Sequence, residues 1–151
     1  MTMPPAGAIR SAGSTKGTDF MKTLLAAFGA ALLATLPPSG PALAQDAAAG
    51  AKVFNQCRAC HQVGETAKNL IGPKLNGLFG RTAGSIEGFK YSEANLKSGI
   101  VWSEAVFAEY IRDPKAKMPG TKMIYAGLKN DQQVADLTAF LKQYGADGKI
   151  Q

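Results

Sequence analysis

Downstream of residue 44, apolar residues recur at helical spacing in short blocks, separated by stretches without any period. The clearest block is Val134, Leu137, Phe140, Leu141 and Tyr144, a stripe close to the 3.6-residue repeat of an amphipathic helix. Asn130 precedes it as a cap, Gln133 stands at the capping-box position, and Gly145 follows as a stop. A second helix is predicted from Ala47 to about Asn55; Gly50 lies on the Phe54 face, where a missing side chain lets another backbone come close. Ser92 caps a short helix reaching about Lys97, and Ser103, with Glu104 in the first turn, starts one reaching about Arg112. Asp113-Pro114 opens one further turn, with proline at the first helical position. Between Gln62 and Tyr91 the chain is punctuated by Gly64, Gly72-Pro73, Gly77, Gly80, Gly84 and Gly88, and no convincing strand is visible. The expected class is all-α, with four to five short helices and long loops. Loops this irregular in a small domain are usually functional, which predicts a stretch wrapped over a cofactor.

The upstream pattern is different. Residues 1–20 are rich in Gly, Ala, Pro, Ser and Thr without periodicity; Lys22 then precedes an apolar run from Leu24 to Leu36, followed by Pro37, Pro38 and Ala42-Leu43-Ala44. A basic start, a short apolar run and an A-x-A site describe a secretory signal peptide. The run is shorter than the roughly 20 residues a membrane span needs. The expectation is a leader over residues 1–44, cleaved after Ala44 and leaving a soluble periplasmic domain, residues 45–151; Met21 offers a second start site.

The chain carries 17 Lys and Arg against 11 Asp and Glu, a net charge of +6. Such a balance bears on steering and solubility rather than on fold. The basic residues are scattered singly with no nucleic-acid-binding motif, so nucleic acid is not an expected partner.

The chemistry concentrates in Cys57-Arg58-Ala59-Cys60-His61. Two thiols one helical turn apart can each add across a vinyl group of one haem, and the following histidine can ligate its iron: C-x-x-C-H is read as a c-type haem attachment site. These are the chain's only cysteines, so no structural disulfide is available. His61 is the only histidine, which excludes bis-histidine ligation and a distal histidine. The sixth position is either open or filled by Met, Lys or another donor. Downstream of the leader only Met118 and Met123 are available as thioethers; Met123 follows the turn Pro119-Gly120-Thr121, and Met118 precedes it. A cofactor-free thiol redox protein or zinc site is the contrary reading. The strand–helix pattern of the first is missing, and one histidine beside a cysteine leaves zinc short of ligands.

The strings Cys57–His61, Gly72-Pro73-Lys74-Leu75-Asn76-Gly77-Leu78-Phe79-Gly80-Arg81, Gly88-Phe89-Lys90-Tyr91-Ser92 and Pro119-Gly120-Thr121-Lys122-Met123-Ile124-Tyr125-Ala126-Gly127, with the last helix, resemble class I c-type cytochromes. The likeness is strongest to mitochondrial cytochrome c and its periplasmic bacterial counterparts, and covers nearly all of 49–144. It implies a small cytochrome c fold around one haem c attached through Cys57 and Cys60, with His61 and Met123 as iron ligands. It further implies that Pro73 offers its carbonyl to His61; that Tyr91, Trp102, Arg81 and Asn95 lie at the haem propionates; and that Thr121 and Tyr110 lie near Met123. Leu75, Leu78, Phe107, Ile111 and Leu128 are candidate lining residues. Gly50 and Phe54 would cross the last helix at Leu137 and Phe140 in a contact unrelated to redox chemistry.

Departures from the mitochondrial pattern are a spacing between Phe54 and Cys57 one residue shorter, Tyr125 in place of a phenylalanine, and Ala116 in place of a lysine. The function implied is a monomeric, non-enzymatic periplasmic one-electron carrier. It would dock transiently on membrane redox complexes, such as a cytochrome bc complex, a terminal oxidase or a photosynthetic reaction centre, through Lys52, Lys68, Lys115, Lys122 and Lys129. The alternative is a haem peroxidase or gas-reactive haem enzyme with a labile sixth ligand.

Overall fold

A computed structural model describes residues 44–151; apart from Ala44, the expected leader and its cleavage signal lie outside the described residues. The chain forms α1 (Ala47–Phe54), a 3-10 turn (Asn55–Cys57), α2 (Glu93–Lys97), α3 (Glu104–Arg112), α4 (Pro114–Lys117) and α5 (Asp131–Lys142). Among the described residues there is no strand, only isolated bridges between Thr82 and Val101 and between Tyr144 and Ile150. None of their helices is long and apolar enough to cross a membrane.

Local chemistry sets where the helices begin. The side chains of Ser92, Ser103, Asp113 and Asn130 accept from the backbone N–H groups of Asn95, Val106, Ala116 and Gln133, each satisfying a donor that the first helical turn leaves free. Asp46 does the same for Ala48 and Ala49 at α1, a cap not anticipated from the pattern. The stop differs from expectation. Helix α5 ends at Lys142, and Gly145 is absorbed in the tail, donating its N–H to Lys149 O at 2.9 Å. There the tail turns back to bridge Tyr144 and Ile150.

The apolar stripe of α5 is the keel of the core: Val134, Leu137, Phe140 and Leu141 are each at most 5 % exposed. Burial of side chains of this size is worth roughly 1.5–3 kcal/mol apiece. Helix α1 crosses α5 at Gly50, where a Cβ would collide with the Asp136 carbonyl and lie 2.7 Å from Phe140 Cβ. The rings of Phe54 and Phe140 meet one turn further, 5.2 Å apart. Asp136, buried on the same helix, is satisfied by the N–H of Asp46 at 3.0 Å and the amide of Gln132 at 2.8 Å.

The long loop segment is held by its own polar contacts. Buried Asn76 accepts from Gly64 N–H and donates to Gly64 O, both at 2.9 Å. A short ladder follows: Gly80 N–H to Trp102 O at 2.7 Å, Trp102 N–H to Arg81 O at 2.9 Å, and Ala83 N–H to Ile100 O at 2.8 Å. That ladder brings Arg81 and Trp102 to one wall of the interior.

Candidate haem site

The Cys57–His61 segment continues α1 as a tight turn. The N–H groups of Cys60 and His61 both reach Cys57 O, at 3.0 and 2.9 Å, which keeps the two thiols and the imidazole together. His61 Nδ1–H donates to Pro73 O at 2.7 Å. A carbonyl can only accept, so Nδ1 carries the hydrogen and Nε2 keeps its lone pair. Gly72 backs the ring closely enough that a Cβ there would lie 2.7 Å from both ring nitrogens. Burial holds His61 below its ordinary pKa, against the opposing pull of Pro73, so the ring is neutral and able to donate to a metal.

Burial, with a smaller push from Cys60, raises the Cys57 thiol to about 11. Redox and zinc cysteines act as thiolates, so this environment speaks against the cofactor-free readings. Nor do the described residues gather three or more His, Cys, Asp or Glu side chains as a metal cluster.

Across the interior, Tyr110 from α3 donates its hydroxyl to the thioether of Met123 at 3.3 Å. Burial raises the Tyr110 pKa, partly offset by Thr121 beside it. Its ring also meets Trp102 edge-on at 4.9 Å. Met118 has a different fate: it is 3 % exposed within the core and does not line the central cavity. Arg81 donates through Nη1 to Asn76 O at 2.7 Å, while its Nε is buried without a partner among the described residues. Burial lowers the Arg81 pKa and raises that of Tyr91 nearby. Asn95 is oriented by two contacts to Ser92 Oγ, from its backbone N–H at 3.2 Å and its amide at 3.3 Å.

These groups surround one cavity of about 380 Å³. Cys57, Cys60, His61, Pro73, Arg81, Tyr91, Asn95, Trp102, Thr121 and Met123 all line it, so the ten site residues expected from the sequence are gathered on one surface. The apolar lining includes the expected Leu75, Leu78, Phe107 and Ile111. Leu128 is not among the cavity residues; it sits in the core, its N–H on Ile111 O at 2.8 Å. Phe54, Leu137 and Leu141 line the cavity instead, so the α1–α5 contact is not separate from the site. Protein interiors are close-packed, and a void of this size through the main core would forfeit much of its dispersion energy. Two thiols, an imidazole with a free lone pair, a thioether and an orphaned guanidinium nitrogen on an apolar wall suit a flat apolar ring system bearing a metal and carboxylates.

The cytochrome c family model matches residues 47–145. Cytochrome c2 of Blastochloris viridis is 66% identical over 108 residues, covering 72% of this chain and 85% of that protein. Cytochrome c-550 of Nitrobacter winogradskyi is 55% identical over 105 residues, covering 70% and 96%. The solved structure of cytochrome cH from Methylobacterium extorquens aligns with a TM-score of 0.62 at 43% identity, over 65% of this chain and 98% of that one. The chain belongs to the cytochrome c family. As a member it carries a covalently attached c-type haem and is an electron-transfer protein rather than an enzyme.

The lining of this cytochrome's cavity includes exposed apolar side chains and two lysines, Lys90 and Lys122. Ile71 and Ile124 line the cavity at 80% and 93% exposure. Of the five lysines singled out for docking, Lys52, Lys68, Lys115 and Lys122 are exposed and take part in none of the ion pairs among the described residues. Lys129 differs, donating its ammonium to Arg112 O at the end of α3. One contact escaped sequence reasoning altogether: the Tyr125 hydroxyl donates to Gln56 Oε1 at 2.9 Å, joining residues 69 positions apart. Tyr125 is marked in the sequence only as a departure from a familiar phenylalanine, and Gln56 carries no signal.

Proposed function

We propose that this cytochrome is a soluble periplasmic one-electron carrier whose iron is held by His61 and Met123, and that it shuttles between membrane redox complexes. The observation that carries this reading is the pairing of the chain's sole histidine with a cavity-lining thioether fixed by Tyr110. Bound haem supplies exchange between ferrous and ferric iron, with a thioether ligand and burial both favouring the ferrous state.

The chain's own groups divide the remaining work. Cys57 and Cys60 anchor the ring covalently. Pro73 fixes the His61 tautomer and orientation, as partners behind a ligating histidine generally do. Arg81, Tyr91, Trp102 and Asn95 offer donors to the haem carboxylates, whose burial unpaired is costly. Thr121 and Tyr110 hold the Met123 side. With His61 and Met123 both holding the iron, no coordination site would be left open for a substrate.

Removal of the leader after Ala44 and export to the periplasm belong to the same proposal, supported by the A-x-A pattern in the sequence. The exposed Lys52, Lys68, Lys115 and Lys122 would meet acidic patches on a cytochrome bc complex, a terminal oxidase or a reaction centre, with an association that weakens as salt rises.

The deciding experiment is the absorption spectrum of the ferric and reduced holoprotein, repeated for Met123→Ala and Met118→Ala. Sharp reduced c-type bands are expected, with a ferric iron–sulfur charge-transfer band that Met123→Ala abolishes and Met118→Ala keeps. A parent without that band, or a band that survives Met123→Ala, would overturn the ligand assignment.

A further inference from the structure

The segment from Thr121 to Lys129 forms a strap over one side of the cavity. Its first end is pinned by Thr121 N–H on Met118 O at 3.0 Å and by Tyr110 on the Met123 thioether. Its far end is pinned by Leu128 N–H on Ile111 O at 2.8 Å and by Lys129 on Arg112 O. Between these anchors, from Ile124 to Gly127, a single hydrogen bond among the described residues reaches the rest of the protein: Tyr125 Oη–H to Gln56 Oε1. Ile124 beside it is 93% exposed and adds no buried contact. Gln56 lies on the opposite rim, immediately before Cys57, and both Gln56 and Tyr125 line the cavity. The bond therefore spans the mouth from the methionine strap to the cysteine segment.

We propose that Tyr125 and Gln56 form a latch that holds the methionine strap closed and so sets how often Met123 leaves the iron and small ligands gain entry. The inference rests on the His61/Met123 reading. Tyr125 acts as a positioning residue. Its ring can cover the mouth by shape alone, as a phenylalanine would, but only the hydroxyl ties the middle of the strap to the other rim. Gln56 is the matched partner. An amide there accepts from the phenol without bringing a charge to the contact.

The test uses the holoprotein with Tyr125→Phe, Gln56→Ala and the double variant. Two quantities are read: amide hydrogen exchange from Ile124 to Gly127, and the rate at which imidazole displaces the sixth ligand of the ferric protein. A partly exposed hydrogen bond of ordinary strength corresponds to opening about threefold to tenfold more frequent. Both rates are expected to rise by that factor in either single variant. The double variant should add little, because the two residues share one contact. Unchanged exchange and unchanged imidazole rates in the single variants, or effects that multiply in the double, would overturn the latch. The iron–sulfur band separates the two readings. A parent lacking it would overturn Met123 as ligand, and with it the control of ligation, whereas a parent possessing it with unaltered strap exchange in the variants would sink the latch alone.

Discussion

Replacing Gly72 by alanine tests how tightly the polypeptide, rather than the cofactor, orients the imidazole. The added Cβ would stand 2.7 Å from both His61 Nδ1 and Nε2. Non-bonded heavy atoms settle near 3.5 Å, and the Cβ would fall closer still to His61 Cε1, so the ring or the 72–73 backbone must retreat by roughly 1 Å or more. The same backbone carries the Pro73 carbonyl, now 2.7 Å from Nδ1, and a retreat of that size takes the hydrogen bond beyond useful length. Overpacking costs about 1–3 kcal/mol and a buried donor left without its acceptor about as much again, for a total of about 2–6 kcal/mol. Against a domain stability of about 5–15 kcal/mol that is a large fraction. Guanidinium unfolding of the holoprotein, followed by the fluorescence of Trp102, reads it: with a slope of roughly 3 kcal/mol per molar, the midpoint should fall by about 1 M or more. Gly80→Ala is the control. Gly80 has φ +87° but nothing within 4 Å of a Cβ, so alanine there meets only backbone strain of roughly 1–2 kcal/mol. The ferric iron–sulfur band and the midpoint potential should shift in Gly72→Ala and not in Gly80→Ala. A Gly72→Ala protein no less stable than Gly80→Ala, with its potential unchanged, would refute the packing argument.

Phe140→Ala removes a ring that is 5 % exposed and 5.2 Å from Phe54, and should cost about 3–5 kcal/mol in the same assay. A loss under 1 kcal/mol would mean that the α1–α5 crossing is not the keel of the fold. Arg81→Leu withdraws a half-buried cation from the cavity wall, where positive charge favours the reduced iron; the midpoint potential should fall by on the order of 50 mV in a potentiometric titration, haem attachment being retained. An unchanged or higher potential would contradict its placement at the haem carboxylates. Lys122→Ala should slow association with an acidic redox partner at low salt, whereas Lys129→Ala, which loses a bond to the end of α3, should lower thermal stability with a smaller effect on association. Stopped-flow rates across an ionic-strength series distinguish the two, and equal effects on association would count against separate roles.

The helices were legible because each begins with a residue whose preference is local. Ser92, Ser103, Asp113 and Asn130 can cap without knowing the rest of the fold, and all four do. Gly145 does not stop α5, for the complementary reason. Glycine stops a helix when the chain needs a left-handed residue there, but here the turn-back that bridges Tyr144 and Ile150 decides the ending, and that is a long-range event. Leu137 shows the limit of periodicity, which says that a side chain is buried but not whether it meets other side chains or a cofactor.

The candidate site divides along the same line. Cys57, Cys60 and His61 are adjacent in the chain, so their chemistry was visible in one string. The residues opposite them come from α2, α3 and the loops before and after them, and apart from Met123 only the family likeness named them as site residues in advance. Composition narrowed the thioether to Met118 or Met123 and could go no further. The physical difference is the turn between them: Gly120, at φ +87°, reverses the chain after Met118. Met118 is thereby left in the core while Met123 comes to the cavity wall within reach of Tyr110. The same reversal launches the strap that Tyr125 fastens to Gln56, so the turn that presents a ligand also creates the span that must be held shut. A pair 69 residues apart carries no local signal, and neither residue type is unusual where it stands.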